Sequence, residues 1–151
     1  VSVIGGTAGA ARFSVTGQSA QAVAAASAGW RAVMLDGARM RSKESLMATF
    51  AASLELSARF GANWDALNDV LSELAWEDES RVLLILEGAD EVLADAPGER
   101  GTLVEVLAHA FDDADGEEDA ELRVVMCSSD PERSALAAAA RDAGVEVTLD
   151  R

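Results

Sequence analysis

Five short runs rich in Val, Leu and Ile, at Val1 to Ile4, Arg31 to Leu35, Arg81 to Leu86, Leu122 to Cys127 and Val145 to Leu149, are separated by longer stretches of helical periodicity. A run of four to six such residues is too short for a buried helix, and its lack of polar alternation suits a strand covered on both faces. Strands that alternate with helices are joined by right-handed crossovers and lie parallel. The expected fold is therefore α/β: a parallel sheet of about five strands flanked by helices on both faces.

The helical stretches carry their own punctuation. Residues 18 to 28 are Ala-rich and close on Gly29, a C-terminal cap. Ser42 stands before Leu46, Met47, Phe50, Ala51 and Leu54, which recur at helical spacing. Gly61 can end that segment, and Asn63 can cap the next. Leu103, Val106, Leu107, Ala110 and Phe111 mark a further helix. Ser129-Asp130-Pro131 offers a cap with Pro in the first turn, and Gly144 closes the last helix. A chain of 151 residues that is half apolar suits one domain, spanning 1–151.

Charge narrows the function. Asp and Glu number 27 against 12 Lys and Arg, a formal net charge of −15. Such a chain is repelled by nucleic-acid phosphates and anionic membranes, so neither is expected as a partner. A charged partner should be basic. Cys127 is the single cysteine, which rules out an internal disulfide. Neither a leader pattern nor an apolar run of spanning length is present, and a cytoplasmic location is expected. One lysine beside eleven arginines, with abundant alanine, is the bias of a GC-rich bacterial coding sequence.

The acidity has a pattern between residues 64 and 74. On a wheel of about 100° per residue with Asp65 at zero, Leu67, Val70, Leu71 and Leu74 fall within about 140° to 240°, and Trp64 at about 260°. Asp65, Asp69 and Glu73 line up at about 0°, 40° and 80°, beside Asn68 and Ser72. Carboxylates at i, i+4 and i+8 repel one another by a few tenths of a kcal/mol per pair, roughly, and the helix dipole excuses only Asp65. The row is either a solvated face that tolerates small repulsion or a surface kept ready for a cationic partner. Two aspartates on one helix provide too few oxygens for a divalent metal.

The stretch Phe60-Gly61-Ala62-Asn63-Trp64-Asp65-Ala66-Leu67-Asn68-Asp69-Val70-Leu71 resembles the signature of the barstar family, intracellular inhibitors of secreted guanyl-specific ribonucleases. The likeness continues through Arg31 to Leu56, Arg81 to Leu86, Phe111-Asp112-Asp113-Ala114 and Leu122 to Cys127. It covers about residues 30 to 127 and leaves extensions at 1–29 and 128–151.

The resemblance implies an inhibitor, not an enzyme, that binds a guanyl-specific ribonuclease 1:1, needs no cofactor and is a monomer when free. Asp69 matches the aspartate that reaches deepest among the enzyme's phosphate-binding arginines and histidine. Asp65, Asn63 and Gly61 match further contacts, Glu73 continues the face, Leu74 stands where the family has an interfacial tryptophan, and Asp113 matches a glutamate of the last helix. Arg59 and Asn68 stand where the family has a tyrosine and a tryptophan. These two departures imply a partner more like the ribonucleases of filamentous GC-rich bacteria than barnase itself.

Other chemistry has weaker support. Gly5-Gly6-Thr7-Ala8-Gly9 after the first run is the alternative site, for a nucleotide or phosphorylated ligand on a small doubly wound domain. It lacks the Gly-Lys-Ser/Thr ending of a phosphate loop and the spacing of a dinucleotide fingerprint. His109 and Cys127 are read as structural, and no Cys or His cluster for zinc exists. Trp30, Trp64 and Trp76 are read as packing groups.

Overall fold

The computed structural model describes residues 11–56, 60–74, 81–110 and 121–150. Within them lie β1 (Ala11–Thr16), α1 (Ala20–Ala25), β2 (Arg31–Asp36), α2 (Lys43–Ser53), α3 (Trp64–Leu74), β3 (Arg81–Glu87), α4 (Arg100–His109), β4 (Glu121–Cys127), α5 (Ala135–Asp142) and β5 (Val147–Asp150). The strands form one parallel sheet in the order β2-β3-β4-β1-β5. Central β3 is buried without a break from Val82 to Leu86, as expected for a strand covered on both faces.

Among the described residues the two faces are covered unequally. Side chains alternate along each strand, and Phe13, Val15, Val33, Leu35, Val82, Leu84, Leu86, Leu122, Val124 and Met126 turn to one side. There they meet Leu46, Met47 and Phe50 of α2, Leu67 and Leu71 of α3, Leu103, Val104 and Leu107 of α4, and Leu136, Ala137 and Ala140 of α5. Burying each large apolar group contributes about 1.5–3 kcal/mol, so most of the stability comes from this face. Across the sheet, Leu83, Ile85 and Cys127 are covered by Ala20 and Val23 of α1. Trp30 fills in beside them, with the guanidinium of Arg81 4.6 Å and that of Arg123 4.4 Å from its ring centroid.

Four of the five expected strands are present within a residue or two of their expected bounds. The fifth, Val1 to Ile4, lies outside the described residues, as does the Gly5 to Gly9 turn. The first strand that is described is instead β1, which is not among the five expected runs. Its side chains alternate: Phe13 and Val15 are buried, while Arg12 and Ser14 turn to the face that the described residues cover thinly. Arg12 sits opposite Arg123 in the register, and Glu121 stands between them at 3.7 and 2.9 Å. This shared carboxylate relieves the like-charge pair.

Local signals explain the helix ends. Ser42 and Ser45 exchange side-chain to backbone bonds of 3.0–3.1 Å at the start of α2, a capping box. That helix ends at Ser53, so Gly61 is a loop residue and not its cap. Ser134, not Ser129 or Asp130, caps α5, because Pro131–Arg133 forms a separate 3-10 turn. Gly144, at φ +84°, closes α5 as expected.

The loops after β2 and β3 are locked together. A Cβ built on Gly37 would lie 2.2 Å from the carbonyl oxygen of Gly88. The amides of Leu93 and Asp95 donate to the carbonyls of Met40 and Arg41 at 2.7 and 2.9 Å. Arg41 also pairs with Glu91 and Asp95; its pKa is raised, first by the hydrogen bond to Asp95.

Candidate functional site

The acidic row lies on α3, and the helix is anchored at both ends. The Asn63 side chain accepts from the amide of Ala66 at 2.8 Å, the cap expected from the sequence. Near the other end the Ser72 hydroxyl donates to the carbonyl of Ala110 at 3.0 Å. Leu67 and Leu71 are fully buried, with Trp64 and Val70 packed partly against the same core. Asp65, Asp69 and Glu73 are exposed, and Asn68 is half-buried. The helix therefore presents its carboxylates to solvent on a face that its buried leucines cannot leave.

Gly61 and Asn63 are exposed in the loop that leads into α3, and Ala62 between them takes φ +51°. The structure thus brings Gly61, Asn63, Asp65, Asn68, Asp69 and Glu73 onto one loop and one helix. Leu74 is the last residue of that helix. Arg59 and Asp113 lie outside the described residues, as do most of the acidic stretches 76–80 and 112–121.

Trp64, expected as a packing group, is also a neighbour of this face. Its indole Nε1 donates to Glu99 Oε1 at 3.3 Å, and the Lys43 ammonium stands 5.9 Å from its ring centroid. The available signal was its wheel position, between the buried leucines and Asn68.

Other candidate chemistry separates in space. Because α4 leads to the start of β4, His109 lies exposed at the amino end of the sheet, whereas Cys127 is buried at the carboxyl end. Burial, and then the charge of Glu87, push the Cys127 thiol up to about 11, the opposite of what a nucleophile needs. In open α/β sheets ligands favour the crevice where neighbouring strands send their connections to opposite faces. Here that crevice lies between the carboxyl ends of β1 and β4, with α1 on one side of the sheet and α5 on the other. Glu87, Asp90 and Asp130 stand at that end of the sheet, and Asp90 accepts from Ser128 at 2.8 Å and from Ser129 at 3.3 Å. These carboxylates oppose a phosphate. Among the described residues no group of three or more His, Cys, Asp or Glu is arranged to hold a metal, and no helix is long and apolar enough to cross a membrane.

A five-stranded parallel α/β domain that displays carboxylates on a rigidly packed helix defines the class. More particularly, the chain belongs to the Barstar (barnase inhibitor) family, whose profile matches residues 30–127. That stretch contains β2, α2, α3, β3, α4 and β4; β1 and β5 extend the sheet beyond it, with β1 paired to β4. No curated protein matches the chain in sequence. Among solved structures, Cdc6p from Pyrobaculum aerophilum is similar in fold, with a TM-score of 0.54 and 19% identity over 91% of this chain. The chain spans 38% of that protein's length, and the likeness concerns the fold alone.

Proposed function

We propose that this domain is a protein inhibitor of a guanyl-specific ribonuclease, acting by binding and not by catalysis. The observation that carries the reading is the division of α3: Leu67 and Leu71 are fully buried, and Asp65, Asp69 and Glu73 are exposed on the opposite side. Ribonucleases bind RNA phosphates with Arg, Lys and His, and a fixed row of carboxylates can occupy the same groups. Inhibition is then competitive with RNA. In this reading Asp69 is the anchor, Asp65 and Asn63 flank it, and Gly61, Asn68 and Glu73 complete the contact. Arg59, Leu74 and Asp113 are assigned as contacts only because they stand at contact positions of the family.

The strongly negative field raises the rate of encounter with a basic enzyme, and the inserted acid slows dissociation. The alternative ligand, a nucleotide or other phosphate compound at Gly5 to Gly9, falls outside the described residues; Glu87, Asp90 and Asp130 disfavour a phosphate only at the carboxyl end of the sheet. A ribonuclease assay with an equimolar amount of the chain tests the proposal, with a thermal-shift measurement against nucleotide as the comparison. Loss of ribonuclease activity is the expected result; stabilisation by nucleotide without inhibition would favour the alternative.

A further inference from the structure

The two described tryptophans near cations are occupied very differently. Trp30 has guanidinium groups 4.4 and 4.6 Å from its ring centroid. Trp64 has a single ammonium at 5.9 Å, close to the roughly 6 Å limit at which such attraction counts. The ring is only partly buried, its polar edge is held by Glu99, and it begins the helix that carries Asp65 and Asp69. On that helix it stands one turn before Asn68, next to the acidic face.

We propose that Trp64 is a specificity-determining contact of this face, and that it receives an arginine side chain of the basic partner over its ring. This rests on the inhibitor reading above. Lys43 acts as an internal placeholder. Its flexible, strongly hydrated ammonium lies loosely over the indole in the free protein and yields to a planar guanidinium, which stacks on aromatic faces. Glu99 keeps the indole in one orientation, so little side-chain freedom is lost on binding. Tryptophan and arginine are both enriched among interface hot spots. The aromatic group absent at Arg59 and Asn68 is thereby supplied from Trp64 instead.

The test is surface-immobilised binding kinetics with two probes, barnase and a guanyl-specific ribonuclease of a filamentous GC-rich bacterium, using wild type, Trp64→Leu, Trp64→Phe, Lys43→Gln and Asp69→Ala, each checked for folding by circular dichroism. Trp64→Leu is expected to speed dissociation about tenfold and to change association less than about twofold. Trp64→Phe, a weaker cation acceptor that keeps a ring in the core, should fall between. Lys43→Gln should slow dissociation, which a purely structural role for Lys43 would not do. If Trp64→Leu dissociates like wild type while Asp69→Ala still weakens binding, the proposal fails and the inhibitor reading stands. Faster dissociation of Lys43→Gln would also overturn it. Absence of binding of the wild-type chain to either enzyme would overturn both.

Discussion

The Ser72 hydroxyl donates to the carbonyl oxygen of Ala110 at 3.0 Å, so the acidic helix α3 is tied to the residue that caps α4. Carbonyls at a helix end have no partner of their own within the helix, and here one of them is used to fix a neighbouring element. With the Asn63 cap at the start and Leu67 and Leu71 between, the direction of the carboxylate row is set before any partner arrives.

Replacing Ser72 with Ala removes that tie and leaves a buried carbonyl without its donor. A loss of about 1–2 kcal/mol is expected, read from the midpoint of urea unfolding at unchanged slope. An unchanged midpoint would show that the bond is not part of what holds α3.

Gly37 allows the loops after β2 and β3 to touch. Gly37→Ala places a methyl group 2.2 Å from the Gly88 carbonyl oxygen and 2.6 Å from that of Glu87. Backbone must move, at a cost of about 1–3 kcal/mol, visible as a lowered Tm. Gly98→Ala, which meets nothing within 4 Å, is the control and should leave Tm nearly unchanged.

Cys127 has its thiol pushed up to about 11 from an ordinary value of 9.0, first by burial and then by Glu87. Between those values the folded protein keeps a proton that the unfolded chain has lost. Stability from this group is therefore complete below about pH 9 and declines as pH rises through about 11. Denaturation at pH 8 and pH 11 should show a smaller alkaline loss for Cys127→Ser than for wild type. Iodoacetamide labelling of the native protein at pH 8 should be slow.

Association with the ribonuclease should slow by on the order of tenfold as salt rises from low to high concentration, because the steering field is screened. Stopped-flow mixing measures it. A salt-independent rate would remove the steering argument.

The parts of this fold that were legible in the sequence are those where one physical demand dominates. β3 must be apolar on both sides, and α3 must be apolar on one side only; both patterns are unambiguous. β1 is hard to read because the described residues cover its second face thinly, so Arg12 and Ser14 are tolerated in a strand whose buried apolar residues are Phe13 and Val15. Strand order was also illegible: pairing β1 between β4 and β5 depends on contacts far apart in the chain. At Ser134 the cap was misplaced since Ser129-Asp130-Pro131 carries the same local chemistry and starts a 3-10 turn. Trp64 shows the limit at the site itself, since a wheel gives its angle but not its neighbours Glu99 and Lys43.

In the proposed function α3 blocks a ribonuclease through Asp69. The test is the activity of barnase and of a guanyl-specific ribonuclease of a filamentous GC-rich bacterium, each titrated with wild type and with Asp69→Ala. Stoichiometric inhibition by wild type is expected, with an affinity weaker by at least about 2 kcal/mol for folded Asp69→Ala, the threshold used for interface hot spots in general. Equal inhibition by the two proteins, or none by wild type, would contradict it.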